Sequence, residues 1–253
     1  MQLAAAREAR PARMAAAGSQ LGEGMRKLRA PSAAIVVSIV VSCVTGCAST
    51  VPMTPETAGK IKDREVVAGV REKPDFLAFT VGAMLPAGLM GALGGAAAGM
   101  AVARDGNEIV ARYHIDDPAP YIEEELSTYL SSKYGTKITS RTVAIAGDDV
   151  EALSKDNPGT DLILDVRTLY WDFIYLLTSL DRYRVRYRVR FRLIDVGAAK
   201  VVVEGECFSD PAQTSSAPRY DDLLASNAAR LKKELREAAD FCIHEFESKV
   251  LHL

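Results

Sequence analysis

The sequence predicts an α+β fold, with an antiparallel sheet covered on one face by a long C-terminal helix. Three observations predict it. The run Arg182-Tyr183-Arg184-Val185-Arg186-Tyr187-Arg188-Val189-Arg190-Phe191-Arg192-Leu193 alternates without a break, which is the period-two signature of a strand. Two β-rich runs flank it, Asp161 to Phe173 and Lys200 to Phe208, the second joined through a turn at Val196 to Ala199 where a glycine is available for positive φ. Tyr220 to Val250 carries Leu224, Leu231, Leu235, Cys242 and Phe246 at helical spacing, a single apolar face for the resulting meander.

The remaining elements of this part read in order. Asp116, Asp117 and Pro118 start a helix that carries Tyr121, Ile122, Leu126, Tyr129 and Leu130 and stops at Gly135. Lys137 to Ile145 reads as a strand from its β-branched content. Asp148 to Leu153 reads as a short acidic helix closed by Asn157-Pro158-Gly159. Residues 105–253 therefore form a domain of order α-β-α-β-β-β-α.

Upstream, Phe76 to Ala103 is 28 residues long without a charge, holding six glycines and nine alanines. Ala83, Ala87, Gly91, Gly95, Gly99 and Ala103 recur every fourth place, so on a helix they share one stripe where another helix can approach closely. The segment 76–104 is a glycine-zipper helix or hairpin. Ala87, Gly91, Gly95 and Gly99 are its candidate contacts with a membrane or a second copy; the alternative is a helix or hairpin packed on its own domain and broken at Pro86 or Gly94-Gly95. Residues 47–75, with Pro52, Pro55 and Pro74 among Thr, Lys and Glu, read as a tether.

Residues 1–46 hold six basic and two acidic residues, which leaves 25 basic against 31 acidic in the remainder and argues against nucleic-acid binding. Arg26, Lys27 and Arg29 precede the uncharged run Ala33 to Val41, the layout of a secretory signal in which Met25 would be a start of ordinary length. The run is short for a membrane span, which needs about 20 mainly apolar residues.

It ends in Val44-Thr45-Gly46-Cys47, which resembles the bacterial lipobox; Val40-Val41-Ser42-Cys43 fits the same loose pattern, and the glycine before Cys47 favours the second site. The resemblance implies that Cys47 is the lipidated first residue of the mature protein and, with Ala48 rather than Asp following, that it is sorted to the outer membrane facing the periplasm. The element order over 118–251 resembles the small α+β domains of envelope lipoproteins: the amino-terminal domain of TolB, curli-secretion lipoproteins and lipoprotein activators of peptidoglycan synthases. That resemblance implies a non-catalytic adaptor and carries no functional residues across.

The alternating strand places six arginines on one sheet face. Arg184, Arg186, Arg188 and Arg190 are the candidate anion or partner face, suited to lipid phosphates, glycan carboxylates or an acidic envelope protein. The alternative is internal neutralisation, with Arg192 facing Glu204, Arg190 facing Glu206, and Asp161 and Asp165 serving others. By that count four carboxylates meet six arginines.

Beyond Cys47, Cys207 and Cys242 remain in a compartment where a disulfide persists. Such a bond requires the linker 209–219 to run nearly extended, because Cys242 lies about 33 Å along its helix; otherwise the two stay buried thiols. Trp171, Phe173, Ile174, Leu176 and Leu177 cluster at a hairpin tip, either as an aromatic contact or beneath the glycine-rich helix. His114, His244 and His252 are too scattered for metal spacing, and no nucleophile or phosphate-loop motif occurs, so no catalytic, cofactor or metal residues are assigned. The sequence reads as a membrane-anchored, non-catalytic binding or assembly module. The alternatives are a subunit of an oligomer or pore built through the glycine zipper, and an envelope enzyme.

Overall fold

The computed structural model describes residues 50–212 and 216–253, and for 85–94 the backbone only. The signal region, Met25 and Cys47 lie outside the described residues, as do the side chains of Ala87 and Gly91. Residues 46–253 form one compact unit.

Its elements are α1 (Pro55–Ile61), β1 (Glu65–Val70), β2 (Leu77–Phe79), α2 (Val81–Tyr113), α3 (Ala119–Tyr134), β3 (Lys137–Ala144), α4 (Val150–Asp156), β4 (Leu162–Leu176), β5 (Ser179–Asp195), β6 (Lys200–Ser209) and α5 (Tyr220–Glu245), with a π turn at Phe246–Val250. The sheet order is β3-β1-β4-β5-β6, and β2 takes up β4 where β1 leaves it. The β4-β5-β6 meander is antiparallel as expected, whereas β1 pairs in parallel with both β3 and β4.

The tether expected over 47–75 is corrected from Val51 onward. Val51 exchanges two backbone hydrogen bonds of 2.9 Å with Glu204 on the outer edge of β6, and Val66 and Val67 are buried in the middle of the sheet. The sequence hid β1 because a short parallel strand buried on both faces does not alternate. The prolines read as tether flank it instead, with Pro55 in the first turn of α1 and the Pro74 carbonyl accepting from Trp171 Nε1 at 2.9 Å.

The boundary at 104/105 is likewise corrected, since α2 runs through it. Nor is α2 one straight rod. Phe76 N–H donates to Asn107 Oδ1 at 3.1 Å, and Gly106 lies against the Phe76 carbonyl and Ala78. A straight helix would separate Val81 from Gly106 by about 37 Å, while Ala78 to Val81 spans at most about 11 Å. The helical run therefore folds back on itself between Val81 and Gly106. Gly106 is required where it stands, because a Cβ there would collide with the Phe76 carbonyl.

The main core lies between one sheet face and α2, α3 and α5, with Trp171, Phe173, Tyr187, Phe191, Leu126, Leu130, Leu231 and Phe246 buried in it. A second, smaller cluster of Val67, Val143, Ile145, Leu153, Ile163, Ile194 and Val196 sits on the opposite face under α4. Gly135, in the left-handed region, ends α3 as expected by donating its N–H to Ser131. In the β5-β6 turn the positive φ falls on Ala199 rather than Gly197. The turn has four residues and a bulge beside Leu193 restores the pairing expected from three. The α5 run breaks at Ala225–Ala228, and Leu223 rather than Leu224 is fully buried.

Candidate functional site

The arginine face is the most charged surface of the sheet, and the structure shows how it is held. β4 supplies the opposing charge through a bulge at Leu169. Before it Asp165 and Arg167 face the arginines; after it Tyr170 and Asp172 do, while Trp171 and Phe173 turn to the core. Asp165 stands opposite Arg192 and Asp172 opposite Arg186.

Both carboxylates are fully buried, and each is held by hydrogen-bonded charge. Asp165 accepts from Arg192 at 2.7 Å and from Arg71, just past β1, at 2.5 Å. Asp172 accepts from Arg186 Nε at 2.9 Å and from the Tyr170 hydroxyl. Burial raises Asp172 above the usual carboxylate range against the lowering effect of Arg186 and Tyr170, and burial beside Asp172 pushes the Tyr170 phenol up.

The other arginines are also engaged. Arg184 meets Asp210 at 2.6 Å, Arg188 meets Glu206, and Arg182 donates to the Ala217 carbonyl at 2.5 Å. Arg71, Arg167, Arg190 and Arg192 converge on Asp148, the half-exposed residue before α4, at 3.0, 3.1, 2.8 and 3.4 Å. Desolvation raises the Asp148 carboxyl, but the arginines, Arg190 foremost, outweigh it and hold it below its ordinary value. The expected register, Arg190 opposite Glu206 and Arg192 opposite Glu204, is found, yet the ion pairs differ, because side chains reach diagonally.

The four residues named as an anion face, Arg184, Arg186, Arg188 and Arg190, are thus each paired with a carboxylate of the same domain. The count of four carboxylates is corrected. Asp148, Asp172 and Asp210 were missed, and Asp161 instead accepts the Glu65 N–H. The shift of core positions from even (Leu162, Leu164, Val166) to odd (Trp171, Phe173) was the sequence signal for the bulge that brings Asp172 round.

Where β1 leaves β4, a cavity of about 100 Å³ is lined by Gly69, Arg71, Asp117, Glu123 and Thr168 among others. Glu123 accepts the Gly69 N–H at 2.8 Å. Burial raises its carboxyl to about 7, against that hydrogen bond and with help from the Asp165 charge. Asp117 is also raised by burial, although it accepts from Thr168 and from the Ala119 N–H. The cavity has room for a few waters and is too small for a substrate of ordinary size.

A larger cleft of about 510 Å³ opens between the end of β6, the segment after it and α5. Phe208 and Phe241 stand half-exposed at its sides, with Arg184, Arg230, Glu234 and Glu237 on the rim. One side is fixed by a disulfide, since Cys207 and Cys242 are bonded with Cα atoms 5.5 Å apart. The nearly extended linker expected for this bond is corrected: Ser209 stands opposite Tyr187 and Arg219 bridges Arg182, so the ten residues from 209 to 219 advance only about five positions, about 17 Å, along β5. Of the aromatic cluster, Trp171 and Phe173 are buried against Phe76, whereas Leu177 is 80% exposed. No group of His, Cys, Asp and Glu suited to a metal occurs among the described residues.

No family model and no curated protein matches the chain. Solved structures give matches of low similarity. A neuraminyllactose-binding hemagglutinin homolog from Helicobacter pylori is 8% identical, covering 75% of this chain and 86% of that one at TM-score 0.32. A Xanthomonas campestris protein of the DUF330 family is 14% identical, covering 77% and 88% at TM-score 0.31. The lipoprotein GNA1162 from Neisseria meningitidis is 14% identical, covering 73% and 99% at TM-score 0.24.

Proposed function

We propose that this chain is a lipoprotein of the outer membrane, facing the periplasm, whose α+β domain is a non-catalytic binding and assembly module. The observation that carries the reading is the Cys207–Cys242 bond joining the edge strand to the covering helix, since such bonds belong to oxidising compartments. It agrees with the address read from Val44-Thr45-Gly46-Cys47. The partner that suits the module is an apolar segment of an envelope protein entering the cleft beside Phe208 and Phe241; the arginine face, already neutralised, supplies rigidity rather than a free anion site.

The test is intact mass and fractionation of the natively expressed protein beside Cys47→Ala. An acylated mass beginning at Cys47, with the variant released from the outer-membrane fraction, is the expected result. An unacylated protein, or a variant that stays on the membrane in the same amount, overturns the address. Phe241→Asp then loses crosslinks to envelope proteins if the cleft is the binding site. A second reading, a homo-oligomer built through α2, is favoured by Gly95 and Gly99, where an added Cβ would meet nothing within 4 Å.

A further inference from the structure

We propose that the end of the molecule formed by the α2 fold-back and the β4-β5 hairpin tip dips into the hydrocarbon edge of a lipid leaflet, as a second attachment beside the acyl anchor. For the acyl anchor this rests on the lipoprotein reading above.

The two tips emerge together. β2 runs parallel to β4 with Leu77 beside Asp172 and Phe79 beside Ile174, so the chain enters α2 heading for the hairpin tip. The returning arm passes Phe76 and Ala78 at Gly106 and descends to Asp117, which bonds Thr168. The hairpin tip after Leu176 stands about 14 Å beyond that level, and the part of α2 between Val81 and Gly106 leaves from the same level. Both tips are apolar. Residues 81–103 carry no charge, Met100 is 71% exposed, and Leu177 and Leu180 are 80% and 52% exposed across the tight turn. Charge resumes just behind, in the exposed pairs Arg104–Asp105 and Arg219–Asp181, at headgroup depth.

No described helix is long and apolar enough to cross a membrane, and the fold-back gives these residues another use, a shallow entry from one side. Reach then sets the orientation. Cys47 stands four residues before Val51, a chain reach of at most about 14 Å from the Glu204 edge. The hairpin tip lies about 40 Å from Glu204 along the sheet. Both attachments meet one leaflet only if the long axis of the sheet lies within about 30° of the membrane plane, with the β6 edge down and the β3 edge up.

The experiment places a tryptophan at Leu177 or, on the opposite edge, at Ile138 of β3, which is also exposed, leaving Trp171 as common background. The natively processed full-length protein is reconstituted into phosphatidylethanolamine/phosphatidylglycerol vesicles with brominated acyl chains, and its mass is recorded. About twofold quenching at Leu177→Trp with none at Ile138→Trp is expected. Quenching at Ile138→Trp, or at neither site, overturns the proposal. If the mass shows no acyl group, persistent quenching at Leu177→Trp keeps this inference and sinks the lipoprotein reading. An acylated protein without quenching sinks this inference alone. As a check independent of added tryptophan, Leu177→Glu with Leu180→Glu lowers vesicle flotation of the Cys47→Ala protein about tenfold; unchanged flotation overturns the proposal. Discrete high-mass species in mild detergent, lost in Gly95→Leu/Gly99→Leu, with no quenching at Leu177→Trp, assign the fold-back to a second copy instead.

Discussion

The arginine face and the α2 end differ in how their needs are met. On the arginine face each cation finds a carboxylate or carbonyl within the domain, and Asp165 and Asp172 leave water entirely to make this possible. At the α2 end Leu177, Leu180 and Met100 find no cover among the described residues. A charged face is closed inward because unpaired buried charge is very costly, whereas small apolar side chains tolerate exposure until a partner arrives. The arginine row is thus paired within the domain, while the exposed apolar side chains lie at the uncharged end.

Predictions that break this contrast begin with the largest. Asp165→Asn leaves Arg71 and Arg192 buried without their shared charge and should lower stability in urea by about 3–5 kcal/mol; a loss under about 1 kcal/mol would mean that the face is held loosely. The paired change Cys207→Ser/Cys242→Ser opens a long loop and should cost about 4 kcal/mol by the chain-entropy estimate, read as a shift in denaturation midpoint.

Glu123 gives a pH test. Its carboxyl sits at about 7 in the fold against 4.5 unperturbed, so the folded state holds the proton across that interval and stability falls as pH rises from 4.5 through 7. Glu123→Gln should flatten this slope, raising stability at pH 8 by about 1–2 kcal/mol while leaving pH 4 nearly unchanged. Asp117, also raised by burial, should leave a residual slope of the same sign. An unchanged slope in the variant would assign the dependence elsewhere. Smallest of all, Leu177→Glu should change thermal stability in solution by less than about 0.5 kcal/mol, because its side chain touches little there. A larger loss would show that the tip is packed within the domain.

Legibility followed locality. The seven elements from α3 to α5 were readable because each carries its own period, cap or turn: the β5 alternation, Gly135 after α3, and the Asp149 side chain accepting at the start of α4. β1 and β2 were not, since six and three residues buried in parallel pairing carry no period. At the candidate site the arginines were plain, but half of their partners were hidden. Asp172 depends on a one-residue bulge, Arg71 on an unrecognised strand, and Asp148 on where α4 docks.

By itself the sequence determined the α+β order of the C-terminal part, the meander with its β5-β6 pairing, and the uncharged stretch before it. These follow from periods and short motifs, which act over a few residues. Only the tertiary structure decided that Val51, β1 and β2 pair with the sheet, that α2 doubles back, that the arginine row is closed by buried carboxylates, and that Cys207 meets Cys242. Each of these depends on which distant segments come to lie side by side, and no local pattern encodes that.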